Sequence, residues 1–369
     1  MRVLQLCHSY YPPFLDCARQ YAALFKGTQY QVTTVYLQGD FSQEVVEGSA
    51  SDEVIFLGYK SSQIGGLKLG AIARIKKITA QTRFNFCIAH RVKPTYVALL
   101  ATKLPVISVH HNYNDYSRWS RRLLVNYYQN RLLMLGVSNS VRDDLRRDLK
   151  GWPDDRIQTL YNHIDVEATQ AIMLSKIEAK KLLNLPNEAY IIANVGRLHY
   201  DKDQATLIRA FAKALPKLPA NSLLLIIGAG SLAQDLEKLT TRLNINHNVL
   251  FTGNVPNAKQ YFRAFDLFVL TSDREPFGMV LLEALAAELP VICSNCGGGA
   301  EVIGTVEELF EFGNVDMLTT SMIKKARLKD TLNSTFLIQK LKQNYSDEAA
   351  KKYFWTLPLH TIILNKVLD

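Results

Sequence analysis

The hydrophobic positions of this chain gather into short apolar runs separated by longer stretches with helical spacing. Val3–His8, Tyr30–Leu37, Val54–Tyr59, Phe86–His90, Val106–His111 and Leu133–Ser138 are rich in β-branched and aromatic residues and predict strands. Cys17–Gly27 and Lys93–Lys103 read as helices between them. A second series follows in Tyr190–Leu198, Ser222–Gly230, Asn248–Gly253, Leu267–Ser272 and Pro290–Ser294. The stretches TLIRAFAKAL, SLAQDLEKLTTRLN and AKQYFRAF supply its helices. Strand–helix alternation of this kind predicts an α/β protein with two doubly wound parallel domains in tandem, the first over 1–165 and the second over 166–345. In such sheets ligands sit beyond the carboxyl ends of the strands, so the loops there are where chemistry is sought.

One stretch departs from simple alternation. DREPFGMVLLEALAAELP (273–290) places Glu275 and Glu283 eight residues apart, too far round a continuous helix to share a face. Pro276 disfavours a helical Glu275 and suits a first turn, so the helix is predicted to begin just after Glu275 and to run through Leu289. Glu275 then stands at the helix mouth, with Glu283 two turns in, able to grip the two ends of one ligand.

Composition narrows the options. A length of 369 residues with 48% hydrophobic and 21% charged residues fits a folded two-domain protein. No apolar run nears the roughly 20 residues that span a bilayer. The opening MRVLQLCHSYYPP reads as a strand rather than a secretory signal, so a cytoplasmic location is expected. Five scattered cysteines do not resemble a disulfide framework, and the lone pair Cys293/Cys296 lacks the further ligands a zinc site needs. Residues 1–165 carry 21 Lys+Arg against 13 Asp+Glu, a balance of +8 out of the chain's +9. The clusters Arg74/Lys76/Lys77 and Arg118/Arg121/Arg122 are either a solvated face or a surface for anionic lipid headgroups or a phosphorylated substrate. Nucleic acid is not expected, because no recognition motif accompanies the charge.

Several loops carry candidate chemistry. VGRLHYDKD (195–203) ends a strand and offers Arg197 and Lys202, two cations suited to a diphosphate. Asp201 and Asp203 form a D-x-D, but Lys202 between them argues against a metal, and Asp203 reads as a helix cap. Gly228 and Gly230 are half of a dinucleotide fingerprint and read as a tight strand-to-helix turn. SNCGGGAEVI (294–303) reads as a loop whose glycines permit close approach to a ligand. His90, His110 and His111 stand at strand ends, where catalytic groups belong in this architecture.

The order VGRLHYDKD, TGNV, EPFGMVLLEALAAELPVICSNCGGGAEVI resembles the second half of the retaining GT-B glycosyltransferases of family 4, the glycosyl transferases group 1. VSNSVRDDLRRDL and YNHIDVE are similar to that family's domain-joining segment, although His163 stands where a glycine is usual. The likeness implies a GT-B fold, with two Rossmann-like domains facing a cleft and a last helix, 346–369, crossing back to the first domain. It also implies a nucleotide-diphospho-sugar donor, UDP- or GDP-linked. Glu283 is then expected at the ribose, Glu275 at the donor sugar, and the helix mouth at Phe277, Gly278, Met279 and Val280 against the diphosphate. Arg197 and Lys202 would neutralise the leaving phosphates without a metal or other cofactor, and Val255 would lie by the base. Either His110 or His111 matches the family's strand-end histidine, the spacing from Pro105 allowing both. The first loop, HSYYPPFLDCARQ (8–20), lacks the family's paired-glycine turn.

The resulting expectation is a retaining, metal-independent hexosyltransferase acting on a glycan or glycolipid acceptor, as in lipopolysaccharide core or other envelope polysaccharide biosynthesis. The basic first domain would make peripheral contact with the anionic inner-membrane surface at its cytoplasmic face. The alternatives are a non-catalytic relative that binds membrane or anionic ligands, and a nucleotide-sugar epimerase of the same fold.

Overall fold

Strands that are apolar on both faces need cover on both faces, and here helices provide it. The computed structural model describes residues 1–11, 14–304, 306–327 and 334–359. Its strands are β1 (Arg2–Cys7), β2 (Gln31–Gln38), β3 (Glu53–Tyr59), β4 (Phe86–His90), β5 (Val106–His110), β6 (Leu132–Gly136) and β7 (Ile157–Thr159). The later strands are β8 (Ile191–Val195), β9 (Leu223–Ile227), β10 (Val249–Gly253), β11 (Leu267–Leu270), β12 (Val291–Ser294) and β13 (Leu309–Phe310). Two sheets result, ordered β3-β2-β1-β4-β5-β6-β7 and β10-β9-β8-β11-β12-β13. Every pairing in them is parallel. Each order reverses direction beside its first strand, so the carboxyl ends of β1/β4 and of β8/β11 flank a topological switch point, where such sheets bind ligands.

The chain divides into two compact units, one of Met1–His163 plus the segment from Asp347 onward, the other of Ile164–Ser346. In unit 1, β4, β5 and β6 are buried along their whole length. Leu4, Ile75, Val97, Val106 and Met134 join one core there, and Ile192, Leu207, Phe211, Ile226 and Val269 another in unit 2. Fully burying one such aliphatic side chain stabilises by about 1.5–3 kcal/mol.

Two strands were not legible in the sequence. β7 has three residues and β13 two, too short for an alternation pattern. The predicted helix AKQYFRAF is a 3-10 helix, Ala258–Ala264. That geometry aligns residues three apart, and Phe262 and Phe265 both turn inward, their rings 5.2 Å apart.

The segment from Asp347 packs on the first helix of unit 1, Phe14–Ala23, and its continuation. Its helix, Asp347–Phe354, stops four residues before Pro358. Phe354 meets Phe25 edge to face at 5.6 Å, and Trp355 Nε1 donates to the Leu24 carbonyl at 3.3 Å. The aromatic pair is a packing anchor. Residues 360–369 of the expected last helix, and Pro12 and Pro13 of the first loop, lie outside the described residues. Among those described, no helix is long and apolar enough to cross a membrane.

His163, at the end of the first segment of unit 1, is fully buried. Burial lowers its pKa despite Asp347, so it stays neutral and its Nδ1–H donates to Asp347 Oδ1 at 2.6 Å. Arg19 Nη1 donates to the other carboxylate oxygen at 2.8 Å. Burial opposes the charge on Asp347, but the His163 and Arg19 hydrogen bonds outweigh it and hold the pKa down to about 2. The unfolded value is about 3.9. The stabilisation is therefore fully present above pH ~4 and lost as pH falls through the folded value, and is worth about 2 kcal/mol at neutral pH. Thermal unfolding of Asp347→Asn should show a midpoint several degrees below the unchanged protein at pH 7. The gap should close as pH drops from about 4 towards 2.

Candidate active site

The switch point of the second sheet collects the acidic and basic residues singled out above. After β8 the chain turns through the 3-10 helix Tyr200–Lys202, and Asp203, at φ 43°, caps the helix Gln204–Ala214 through Thr206 N–H. After β11 it runs through Thr271–Gly278 before the helix Met279–Ala286. Two bonds staple these loops together: Thr271 Oγ1 donates to the Lys202 carbonyl at 2.8 Å, and Asp273 N to that of Asp201 at 2.9 Å. Lys202 Nζ, held in this way, donates to Glu275 Oε2 at 2.6 Å. Ser272 Oγ donates to the same oxygen at 3.0 Å. Both charged side chains are largely withdrawn from water, 16% and 11% exposed, so the attraction between them is little screened.

The helix begins at Met279, later than predicted. Gly278 is its N-cap at φ 92°, a backbone only glycine adopts easily, and no side chain caps the end. Met279 and Val280 form the first turn, and Glu283, half-buried, follows on its fifth residue. The helix ends at Ala286, short of Leu289. SNCGGG is not a loop: Gly297–Ile303 is a helix. Its Gly298 donates its N–H to the Glu275 carbonyl at 2.8 Å, and a side chain there would come within 2.3 Å of the Pro276 carbonyl oxygen. Gly298 thus makes room for the Glu275 loop. Gly228 likewise serves a tight turn, since a Cβ on it would lie 1.9 Å from the Gly196 carbonyl oxygen.

Other predicted residues stand apart from the pair. Arg197 is 72% exposed and donates to Asp201 Oδ2 at 3.3 Å. Asp201 also bonds His199 Nδ1 at 2.5 Å. Burial opposes the Asp201 charge, but His199, Lys202 and Arg197 together lower its pKa. The Phe277 side chain is buried against Tyr345, centroids 5.9 Å apart, so only its main chain remains to meet a ligand. Val255 is half-buried on the loop after β10. Cys293 and Cys296 are both free thiols. Among the described residues, no three His, Cys, Asp or Glu side chains are grouped to hold a metal ion.

The switch point of the first sheet carries the histidines, and the structure separates them. His110 is fully buried inside unit 1. Its Nε2 bonds Ser108 Oγ at 2.8 Å and its Nδ1 bonds Asp115 at 2.7 Å. A ligand has no access to it, which removes it from the catalytic candidates; strand alternation points it into the core. His111, just past β5, is half-buried. Burial, then His90, Arg91 and His110, push its pKa well below that of free histidine, and burial brings His90 to about 3.

Both imidazoles are therefore neutral, and their hydrogen bonds fix the tautomers. Gln5 Nε2 donates to Ala18 O at 3.1 Å and to Thr34 Oγ1 at 2.9 Å, which turns Oε1 towards His90. His90 Nε2 must then carry the proton at 3.4 Å from that oxygen. Its bare Nδ1 accepts from His111 Nε2–H at 3.2 Å. This leaves the lone pair of His111 on Nδ1, which faces the Cys17 thiol at 3.7 Å. Burial raises the Cys17 pKa to about 12, so the thiol keeps its proton and is the donor. Next to this network, Arg91 sits at φ 72° and ψ 173°, a region almost reserved for glycine and costing a residue with a side chain about 1–3 kcal/mol.

Ser272, Gln5 and Cys17 belong to these two sites without having been singled out for them. Their sequence signal is modest: a polar residue at the end or within the body of a buried strand, as in LFVLTS and VLQLC. Cys17 carries none, since only the fold brings it to His111.

Comparison with known proteins agrees with this architecture. Residues 15–168 match the family model described as Glycosyltransferase Family 4, and residues 175–349 that described as Glycosyl transferases group 1. The chain is 30% identical over 255 residues to a Campylobacter jejuni protein named N-acetylgalactosamine-N,N'-diacetylbacillosaminyl-diphospho-undecaprenol 4-alpha-N-acetylgalactosaminyltransferase, covering 65% of this chain and 66% of that one. It is 29% identical over 177 residues to LpsD of Rhizobium meliloti, a lipopolysaccharide core biosynthesis glycosyltransferase, covering 48% of each. The chain spans about half the length of most curated relatives it matches, 44%, 57% and 47% for three others. Among solved structures, Anabaena HepE in complex with UDP and glucose superposes with a TM-score of 0.76 at 19% identity, over 96% of this chain and 98% of that one, a likeness of fold. With family models matched over both halves and a parallel Rossmann-like sheet in each unit, the chain belongs to the glycosyl transferases group 1 family.

Proposed function

We propose that the protein transfers a sugar from a nucleotide diphosphate to a hydroxyl of a glycolipid acceptor, keeping the anomeric configuration and needing no divalent metal. The observation that carries this reading is the Lys202–Glu275 pair, 2.6 Å apart at the switch point of the second sheet. A bound diphosphate competes for the ammonium, and the released carboxylate then accepts hydroxyls of the sugar. The ammonium exchanges the carboxylate for the diphosphate and the carboxylate exchanges the ammonium for hydroxyl donors, so neither incurs the several kcal/mol that an unpartnered buried charge costs. Arg197, exposed and paired with Asp201, can add a forked contact to the phosphates. Charge growing on the leaving diphosphate meets Lys202, Arg197 and the helix mouth at Gly278–Val280. Glu283 takes the ribose hydroxyls and Val255 flanks the base. The acceptor oxygen forms its bond to the anomeric carbon on the face from which the diphosphate leaves, and a diphosphate oxygen takes the hydroxyl proton.

HepE's UDP complex supports a uridine donor, and the names of the Campylobacter and Rhizobium relatives support a lipid-linked envelope glycan as acceptor. The +8 of residues 1–165 suits anionic phosphates of that acceptor or of the inner leaflet, which would place the protein at the cytoplasmic membrane face. His111 enters as a neutral imidazole whose Nδ1 exchanges the Cys17 thiol for a substrate hydroxyl.

Incubation with a panel of UDP- and GDP-sugars should release nucleoside diphosphate at a rate unchanged by EDTA; a strict metal requirement would end the metal-independent scheme. Lys202→Ala and Glu275→Gln should each lower turnover at least about 100-fold, the scale of losing one donor to a developing oxyanion, with the circular dichroism spectrum intact. Wild-type turnover should show no acid limb near pH 6.5, the free-histidine value, because His111 titrates well below it. An inflection near that value that vanished in His111→Asn would refute the neutral-imidazole role.

A further inference from the structure

Three helices of unit 1, Leu69–Gln81, Val92–Ala101 and Trp119–Tyr127, begin in the connections after β3, β4 and β5. Residues from all three starts line one cavity of about 510 Å³. Lys68, Lys93, Arg118 and Arg121 lie around it, with Tyr96 and Leu124 among its apolar lining. Lys68 Nζ stands 4.6 Å from the Tyr96 ring centre and donates to the Gly66 carbonyl at 2.6 Å. Arg121 donates to the Asp115 carbonyl at 2.7 Å. A ring face and carbonyls leave positive charge uncancelled. Among the described residues none of the four cations forms an ion pair, and the carboxylate of Asp115 is engaged by His110. Burial, then Lys93 and Arg121, lowers the Lys68 pKa, so these cations crowd one another.

The helix starts themselves invert the usual chemistry. Ser, Thr, Asp or Asn normally caps a helix, and acids favour its first turn. Here the N-cap residues are Lys68, Arg91 and Arg118, none gives a side-chain cap, and no first turn holds an acid. Five other helices of this chain do follow the rule, capped by Ser42, Ser138, Asp165, Ser175 and Asp203. Two of these cationic caps, Lys68 and Arg118, line the cavity with Lys93 and Arg121, a set that suits an anion carrying several charges better than a single carboxylate.

We propose that this cavity binds the phosphate ester of a phosphorylated acceptor, with phosphate oxygens on Lys68, Lys93, Arg118 and Arg121 and the organic part against Tyr96 and Leu124. The word acceptor rests on the transferase reading; the phosphate rests on the cavity alone. Lipid and sugar phosphates share this chemistry, and the test separates them.

Calorimetric titration with farnesyl diphosphate, glucose 1-phosphate, and phosphatidylglycerol–phosphatidylcholine vesicles compares the unchanged protein with Lys93→Ala/Arg118→Ala and with Arg118→Asp. The thermal shift given by UDP is followed alongside. At least one ester should bind the unchanged protein and weaken tenfold or more in the double variant, the UDP shift staying equal; the tighter ester identifies the source. Arg118 has an extended backbone suited to a capping residue, so Arg118→Asp should raise the unfolding midpoint of the ligand-free protein while abolishing ester binding. A purely structural arginine would not move the two in opposite directions. Equal ester affinity in the double variant, no ester binding, or binding to vesicles alone would overturn the proposal. Ester binding without any UDP shift in the unchanged protein would sink the transferase reading and leave this site standing.

Discussion

A charge taken out of water must keep a partner, and in the second unit that requirement fixes where the loops go. Lys202 and Glu275 are 73 residues apart in the chain and meet only because β8 and β11 are neighbours at the point where the sheet order reverses. The Thr271 and Asp273 bonds, and the contact that Gly298 permits, all bear on the two loops carrying that pair. Removing the attraction would leave two buried charges exposed to each other's absence, so the loop geometry, the helix mouth at Gly278 and the ion pair form one cooperative arrangement.

The first unit solves the same topological problem with neutral groups. At the carboxyl ends of β1, β4 and β5 it sets a chain of hydrogen bonds from Gln5 through His90 and His111 to Cys17. Charge is absent there because burial suppresses it, and direction is supplied by a single amide. Protonating His111 would put a new Nδ1–H against the proton of the Cys17 thiol, while His90 Nδ1 went on accepting from Nε2–H, so the network resists acid by construction. One fold thus offers an ionic cradle in one unit and a tautomer-locked relay in the other.

Much of this was legible in the sequence, and the failures have physical causes. Buried parallel strands declare themselves as apolar runs, which is why all the long ones were found. β7 and β13 escaped because two or three residues carry no period. The helix after Glu275 was placed too early because Pro276 is a good first-turn residue, whereas Gly278 in the left-handed region sets the true start. The choice between His110 and His111 depends on strand parity, a one-residue question that spacing from Pro105 leaves open and three-dimensional packing answers. The glycines of 297–299 read as room for a ligand, and the structure adds a packing reason for Gly298, which lies against the Glu275 loop. Arg118 and Arg121 stood out as a basic cluster, but their meeting with Lys68 and Lys93 needs three separate connections to converge.

The two-segment make-up of unit 1 bears on how the protein is made. Phe25 and the Arg19 side chain leave the ribosome early, yet the aromatic plug and the carboxylate that complete them arrive about 330 residues later, after the whole of unit 2. At roughly 5–20 residues per second that wait lasts about fifteen to sixty-five seconds. For that time the first segment carries an uncovered apolar notch at Phe25 and an Arg19 guanidinium without its carboxylate, so unit 1 completes its core only after unit 2 has been made.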